Sequence, residues 1–331
     1  MTDFIDLFCG AGGLSLGLEA AGLNCVAAVE MNRDACDTFA LRHRNVTVYD
    51  TPIQQVDFNT YAGISLLVGG PPCQPFSAGG KGLASGDTRD MIPQFVRAVK
   101  EARPEIFLME NVPGLAGPTH RKYLEHSLNK LSKLGYSLTV EVLNAADYGI
   151  PQKRRRLIVV GVRTGRTAFV MPSATHGPKG RKAFISAGAA LAGIGASTFV
   201  NESKVTFAKR PDLRPSPYDG HLFNGGGRAI DLSAPSHTIL ASAGGNKTHF
   251  LDLNDEVPAY HKHLLKGGEP KVGSLKGGRR LSVEESAALQ TFPKSMTFVG
   301  SRSSQYSQIG NAVPPELGKV LGNALLSSLK A

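Results

Sequence analysis

The chain has 331 residues, with 37 Lys+Arg against 27 Asp+Glu, a net charge of +10, and 41% apolar residues. That suffices for one large domain or two unequal ones with a sizeable core, and the basic excess fits a polyanionic partner such as nucleic acid, although a merely basic soluble protein shows the same balance. Four cysteines (Cys9, Cys25, Cys36, Cys73) without a CxxC pair or zinc-type His/Cys spacing argue for a reducing compartment, against a disulfide framework, and for no metal.

The first residues pass directly into a strand-like run, Phe4–Phe8, with no basic leader and apolar h-region ahead of it. No stretch is long and apolar enough to span a bilayer, so a cytoplasmic protein without a membrane partner is expected. After Phe8 come a tight turn at Cys9–Gly13, an amphipathic helix over Leu14–Ala21 closed by Gly22, and a second buried strand, Cys25–Val29, ending at Glu30. This is a βαβ unit with an acid at its second strand tip. In nucleoside-binding folds such an acid holds ribose hydroxyls while the glycine turn lets backbone approach the ligand. The turn reads Gly-Ala-Gly-Gly and lacks the full GxGxxG, so a nucleoside without a pyrophosphate, such as S-adenosylmethionine, fits better than a dinucleotide.

A helix at Asp34–Arg42 and a strand at Val46–Tyr49, ending at Asp50, follow. The apolar run Ile64–Val68 then leads into Gly69-Gly-Pro-Pro-Cys-Gln-Pro-Phe-Ser-Ala78. Three prolines around Cys73 fix φ and remove backbone donors, which holds the cysteine on a stiff loop at a strand end. There it is either a small buried hydrophobe or a nucleophile awaiting partners. Residues Gly79–Asp90, polar and glycine-rich, read as a flap or as an ordinary surface loop.

Pro93–Ala102 reads as a helix and Glu105–Met109 as a fifth strand, ending at Glu110-Asn-Val-Pro-Gly114. Glu110 then shares the strand-end edge with Cys73, as a catalytic carboxyl or a solvated loop charge. A helix at Lys122–Leu134 and a strand at Ser137–Leu143 precede Gln152-Lys-Arg-Arg-Arg156, which opens the apolar strand Leu157–Val162 either as a solvated surface turn or to aim guanidinium groups at a substrate. From about Pro172 the composition turns to Gly, Ser, Pro, Lys and Arg around short β-like pieces (Ala234–Ala241, His249–Leu253). The expectation is a second, smaller, irregular β-rich domain. Ser282–Gln290 reads as a helix with a capping box at Ser282 and Glu285, and Glu316–Leu329 as a last amphipathic helix returning to the first domain.

Several blocks occur together in one order: Asp6-Leu-Phe-Cys-Gly-Ala-Gly-Gly13, Gly70-Pro-Pro-Cys-Gln74, Glu110-Asn-Val112, Gln152-Lys-Arg-Arg-Arg156, Leu289-Gln-Thr-Phe-Pro293 and Gly310-Asn-Ala-Val313. With them the sequence resembles the bacterial DNA (cytosine-5) methyltransferases from first strand to last helix, leaving only about residues 175–278 without recognisable motifs. The resemblance implies an α/β fold: a Rossmann-like S-adenosylmethionine-dependent methyltransferase sheet over residues 1–174 and 306–331. A target-recognition domain and hinge would occupy 175–305.

The resemblance also implies roles. Cys73 would add to C6 of a flipped-out cytosine, Glu110 would donate to N3, and burial against the base would favour its protonated form. Arg154 and Arg156 would occupy the basic-turn positions, Arg156 holding the base carbonyl and orienting the cysteine loop. The donor S-adenosylmethionine would lie over Phe8, Gly10, Ala11, Gly12 and Gly13 and beside Pro72, with ribose on Glu30, adenine on Met31 and Asp50, and Asn311 and Ala312 closing the site. Ser77, Lys81 and Arg89 would contact DNA. The implied partner is double-stranded DNA bound by a monomer, with a cognate restriction endonuclease acting separately. Two departures stand out: Met31 replaces a frequent aromatic, and Ala312 a common serine. The same chemistry on tRNA, a catalytically silent DNA-binding regulator, and a nucleoside-binding oxidoreductase are the rival readings. The long basic insert, the intact Cys73 and Glu110 blocks, and the absent GxGxxG weigh against them in turn.

Overall fold

The computed structural model describes residues 2–72, 90–194, 201, 204–208, 227–243 and 248–330. Cys73, Ser77, Lys81 and Arg89, with nearly all of the expected flap, lie outside the described residues. The chain divides into two compact units: Met1–Tyr148, Arg154–Lys182 and Ala312–Ala331 form the first, Gly149–Lys153 and Ala183–Asn311 the second. These bounds differ from the expected 174/175 and 305/306. Thr175 and His176 donate their N–H groups to Asp147 O, which keeps 175–182 with the first unit. Tyr306 Oη donates to Leu281 O at 2.5 Å, which keeps 302–311 with the second.

In the first unit the elements run β1 (Thr2–Leu7), α1 (Gly13–Ala20), β2 (Leu23–Glu30), α2 (Arg33–Arg42), β3 (Thr47–Asp50), β4 (Leu66–Gly69), α3 (Ile92–Ala102), β5 (Ile106–Asn111), α4 (Arg121–Lys133) and β6 (Tyr136–Asn144). After β7 (Gln152–Lys153) of the second unit comes β8 (Arg155–Arg163). One sheet has the order β3-β2-β1-β4-β5-β8-β6. β1 to β5 pair in parallel, and β8 lies antiparallel between β5 and β6. Every residue of β4 and β5 is buried, as expected for strands covered on both faces. Ile5, Leu7, Val29, Leu67, Phe107 and Met109 pack with Phe95 and Val99 of α3 and Leu124 and Leu131 of α4. The residues of opposite parity, such as Asp6, face α1, whose Ser15 bonds that carboxylate. Helices therefore cover both faces, and the strand order reverses between β1 and β4, the kind of switch point at whose carboxyl edge α/β sheets hold ligands.

The second unit holds β7 paired with β10 (Ser236–His237), and a three-stranded sheet of β9 (Arg228–Ala229), β11 (His249–Asp252) and β12 (Gly278–Arg280). Beside them run α5 (Ala187–Leu191), α6 (Glu256–Leu265), α7 (Val283–Leu289) and α8 (Arg302–Asn311). The strand expected over Ala234–Ala241 shrinks to β10, and α6 and α8 were not expected, so the described part is more helical than its composition suggested. α7 carries the expected capping box, Ser282 Oγ accepting from Glu285 N at 3.1 Å and Glu285 Oε2 from Ser282 N at 2.8 Å. The final helix α9 (Pro315–Lys330) belongs to the first unit and packs on α1, with Gly17 against the backbone of Pro315 and Gly318.

Among the described residues no helix is long and apolar enough to cross a membrane.

Candidate active site

At the carboxyl edge of the switch point stands first the turn between β1 and α1. Phe8 (φ 59), Gly10 (φ 54) and Gly12 (φ 82) all adopt left-handed backbone, which turns the chain sharply from strand into helix. Gly10 is partly exposed, and a Cβ built on it would meet nothing within 4 Å, so open space lies over the turn there. Ala11, Gly12 and Gly13 are buried, and Gly12 backs onto Phe39 and His43 of the α2 region. His43 is held in turn by Glu19 Oε1 at 3.1 Å and by stacking on Phe39 at 4.1 Å.

At the tip of β2, Glu30 Oε2 accepts Gly10 N at 3.0 Å, while Oε1 accepts Met31 N at 2.9 Å and Asn32 N at 2.8 Å. The carboxylate thus fixes the turn to the strand tip and keeps lone pairs for a ligand hydroxyl. Met31 is 71% exposed, a large apolar side chain beside that acid. Asp50, at the end of β3, accepts Arg33 Nη1 at 2.7 Å and Cys36 Sγ at 3.5 Å.

The second wall is built from the ends of β4 and β5. Glu110 sits within β5, is buried, and reaches the stretch after β4: a Cβ on Gly70 would lie 3.0 Å from Glu110 Oε2. Arg156 Nε stands 2.7 Å from Glu110 Oε1. The contact is an ion pair by distance but is not aligned as a hydrogen bond, so Oε1 stays a buried acceptor with unused capacity. Asn111 Nδ2 donates to Pro71 O at 3.2 Å and Asn111 Oδ1 accepts Val112 N at 2.8 Å, which pins the approach to residue 73 from the far strand. Pro72 is exposed at the last described position of that approach.

The two arginines part company. Arg156 meets Glu110, whereas Arg154 is fully buried and its Nη2 donates to Ala312 O at 2.8 Å. Burial, and secondarily Arg156, push the Arg154 guanidinium well below its ordinary range. Arg154 therefore ties the β8 entrance to the segment before α9 and is not directed outward to a substrate. Asn311 is exposed at the end of α8, its Nδ2 3.3 Å from Ser307 Oγ, and belongs to the second unit.

Sequence reasoning gave no role to Asn111, Asp6, Ser15 or His43. Asn111 could have been singled out as an amide ending an apolar run, but Asp6 meets Ser15, and His43 meets Glu19, only because α1 folds back on β1 and α2 on α1. Gln152 belongs to the same basic block as the arginines, yet it is an internal brace of the second unit. Its Nε2 donates to Leu289 O (3.1 Å) and Gln290 Oε1 (3.0 Å), its Oε1 accepts Ile239 N (3.1 Å), and Gln290 Nε2 continues to Ile309 O (2.6 Å). Among the described residues no group of three or more His, Cys, Asp or Glu is placed to hold a metal.

A profile for C-5 cytosine-specific DNA methylases matches residues 2–327. The chain is 36% identical over 338 residues to the Type II methyltransferase M.PspPI of Psychrobacter sp. (strain TA137), covering 99% of this chain and 79% of the relative. It is 30% identical over 332 residues to the Type II methyltransferase M.NgoMIV of Neisseria gonorrhoeae, covering 98% and 97%. In fold it is similar to the crystal structure of a Spodoptera frugiperda DNMT2 mutant, with a TM-score of 0.71 at 19% identity over 98% of this chain and 100% of that one.

Proposed function

The chain belongs to the C-5 cytosine-specific DNA methylase family, and from that premise we propose how its residues carry out the reaction. It is a DNA (cytosine-5) methyltransferase, moving a methyl group to C5 of cytosine. The proposal concerns the donor, the residue roles and the setting. The observation that carries it is the placement of Glu110 beside Gly70, three residues before Cys73, at the carboxyl edge and within the span that the family profile matches.

The methyl donor is S-adenosylmethionine. The left-handed turn with open space over Gly10, and a Glu30 carboxylate tied to that turn with lone pairs to spare, fit a nucleoside ligand. Phe8, Gly10 and Glu30 would hold it, Met31 would cover the adenine face, Asp50 would accept its amino group, and Ala312 would close the site. When bound, it supplies an electrophilic methyl group on a sulfonium. Ala11, Gly12 and Gly13, being buried, contribute through backbone and shape only.

The chain's own groups make C5 able to accept that methyl group. The Cys73 thiolate adds to C6 of the flipped-out cytosine, forming a C–S bond and pushing the ring electrons towards N3. Glu110 donates a proton to N3, so the ring becomes a neutral enamine nucleophilic at C5. Arg156, beside Glu110, is positioned to orient that carboxyl and to meet the ring carbonyl. Once C5 carries the methyl group, a base removes the C5 proton, the C–S bond breaks, Cys73 leaves as thiolate, and N3 returns its proton to Glu110.

The second unit serves as target-recognition domain. Relatives named Type II methyltransferases support a setting in a restriction–modification system, with a monomer marking a short palindrome against a separate endonuclease.

The test is cytosine-methylation sequencing of plasmid from a host without its own cytosine methylation, expressing the protein, Cys73→Ala or Glu110→Gln. Methylation at one short motif with the parent protein, none with Cys73→Ala, and a loss of about 10² or more in rate with Glu110→Gln are expected. A folded parent protein that leaves duplex DNA unmethylated would move tRNA to the front as substrate.

A further inference from the structure

Gly12 is the residue on which the donor turn becomes helix. It is the N-cap of α1, at φ 82 and ψ 22, and no side chain caps that helix end. A glycine enters left-handed and right-handed backbone about equally readily, so its surroundings must select between them. Two backbone bonds help: Gly12 N donates to Cys9 O at 2.9 Å, and Gly12 O accepts Leu16 N at 2.8 Å. The other support is packing. A Cβ on Gly12 would lie 2.8 Å from Phe39 Cδ2, 3.1 Å from Phe39 Cε2 and 3.1 Å from His43 Nε2, so two rings fill the place of a side chain.

The His43 ring is fixed in several ways. His43 closes α2, its N donating to Phe39 O at 3.0 Å and its O accepting Val46 N at 3.2 Å. The ring stacks on Phe39 with centroids 4.1 Å apart and planes 25° apart. Nδ1 stands 3.1 Å from Oε1 of Glu19, a partly exposed residue in the last turn of α1. A ring nitrogen facing a carboxylate carries the proton, so Nδ1–H donates to Glu19 and sets the rotation of the ring. Helical side chains lean towards the N-terminus, which lets Glu19 reach back along α1. One ring thus meets both ends of that helix. Nε2 is buried and makes no hydrogen bond, which is costly. An apolar ring would fill the space without that cost. What histidine adds is the tether at Nδ1.

We propose that His43, tethered by Glu19, is a positioning residue for donor binding: it holds Gly12 in the left-handed form that shapes the turn for S-adenosylmethionine. The inference rests on the reading that S-adenosylmethionine is held at this turn.

The experiment is donor binding by calorimetry, steady-state methylation with donor titrated at saturating duplex DNA, and thermal melting, on five variants. These are His43→Ala, His43→Phe, Glu19→Ala, Glu19→Gln, and His43→Phe combined with Glu19→Ala. His43→Ala should raise the donor Kd and KM about tenfold, as for a turn competent about a tenth of the time, while kcat at saturating donor and duplex affinity hold. Glu19→Ala should reproduce most of that rise. Glu19→Gln, whose amide oxygen still accepts from Nδ1, should restore the parent Kd. In the double variant Glu19→Ala should add nothing to His43→Phe, because the tether is already gone. If His43→Ala does not fold, the two Glu19 variants, made at a partly exposed side chain, decide alone. An unchanged donor Kd in folded Glu19→Ala, or the same Kd for Glu19→Ala and Glu19→Gln, would overturn the proposal. A fall in kcat with KM unchanged would overturn it too. A folded parent protein that binds no S-adenosylmethionine would instead overturn the underlying reading of the donor.

Discussion

A carboxyl group with 1% exposure, one hydroxyl partner and two other carboxylates nearby does not titrate like a free aspartate. Burial, opposed by the Ser15 hydrogen bond and reinforced by Glu30, raises Asp6 to about 7. The unfolded chain releases that proton near about pH 3.9. The stabilisation from Asp6 is therefore complete below about pH 4 and is lost as pH rises through about 7, at up to about 1.4 kcal/mol per pH unit. Urea midpoints should fall more steeply across this window for the parent protein than for Asp6→Asn; equal slopes would contradict the assignment. Gly12 gives a second test. A methyl group there would lie 2.8 Å from Phe39 Cδ2 and 3.1 Å from His43 Nε2, on a backbone at φ 82. Gly12→Ala should weaken S-adenosylmethionine binding about tenfold and cost roughly 1–3 kcal/mol of stability, read by calorimetry and thermal melting. The turn was legible in the sequence, because only glycines tolerate such angles cheaply. The Asp6–Ser15 pair was not, since nothing local says that the ninth residue onward returns to face a strand.

At the scale of elements, α1 and α9 meet backbone to backbone at Gly17. A Cβ on Gly17 would stand 2.2 Å from Pro315 O and 2.6 Å from Gly318 Cα, both backbone, so neither can swing aside. Gly17→Ala must push the helices apart, at about 1–3 kcal/mol, and should lower the melting temperature by several degrees. In the second unit, Gln152→Leu leaves Leu289 O, Gln290 Oε1 and Ile239 N without their shared partner. Three buried hydrogen bonds go with it, so this variant should be the less stable of the two in the same melt. Capped and strongly patterned elements were readable in advance: α7 through its capping box, α9 through its period, β4 and β5 through unbroken apolar runs. α6 was missed because Pro258 in its first turn and a His-Lys-His run mask the period, although proline is tolerated there. The reversed direction of β8 is fixed by pairing with β5 and β6, which no local pattern records.

For the whole molecule, the +10 charge pointed to a polyanion before any motif was weighed, and the family match agrees with it. The composition shift near Pro172 suggested a second domain, whereas the joints of the two compact units fall elsewhere. Residues 175–182 look like the glycine- and lysine-rich stretch that follows, yet they bond back to Asp147. Gly149–Lys153 looks like the start of β8, yet it pairs into the second unit. In chain order the second unit is inserted between segments of the first, and α9, which packs on α1, is made after all of it. A ribosome adding about 5–20 residues per second has assembled β1 to β8 long before that helix emerges. During this interval α1, with the glycine turn at its head, waits with its Gly17 face uncovered. The turn at the head of α1 is therefore backed by the chain's last helix only after the whole second unit has been made.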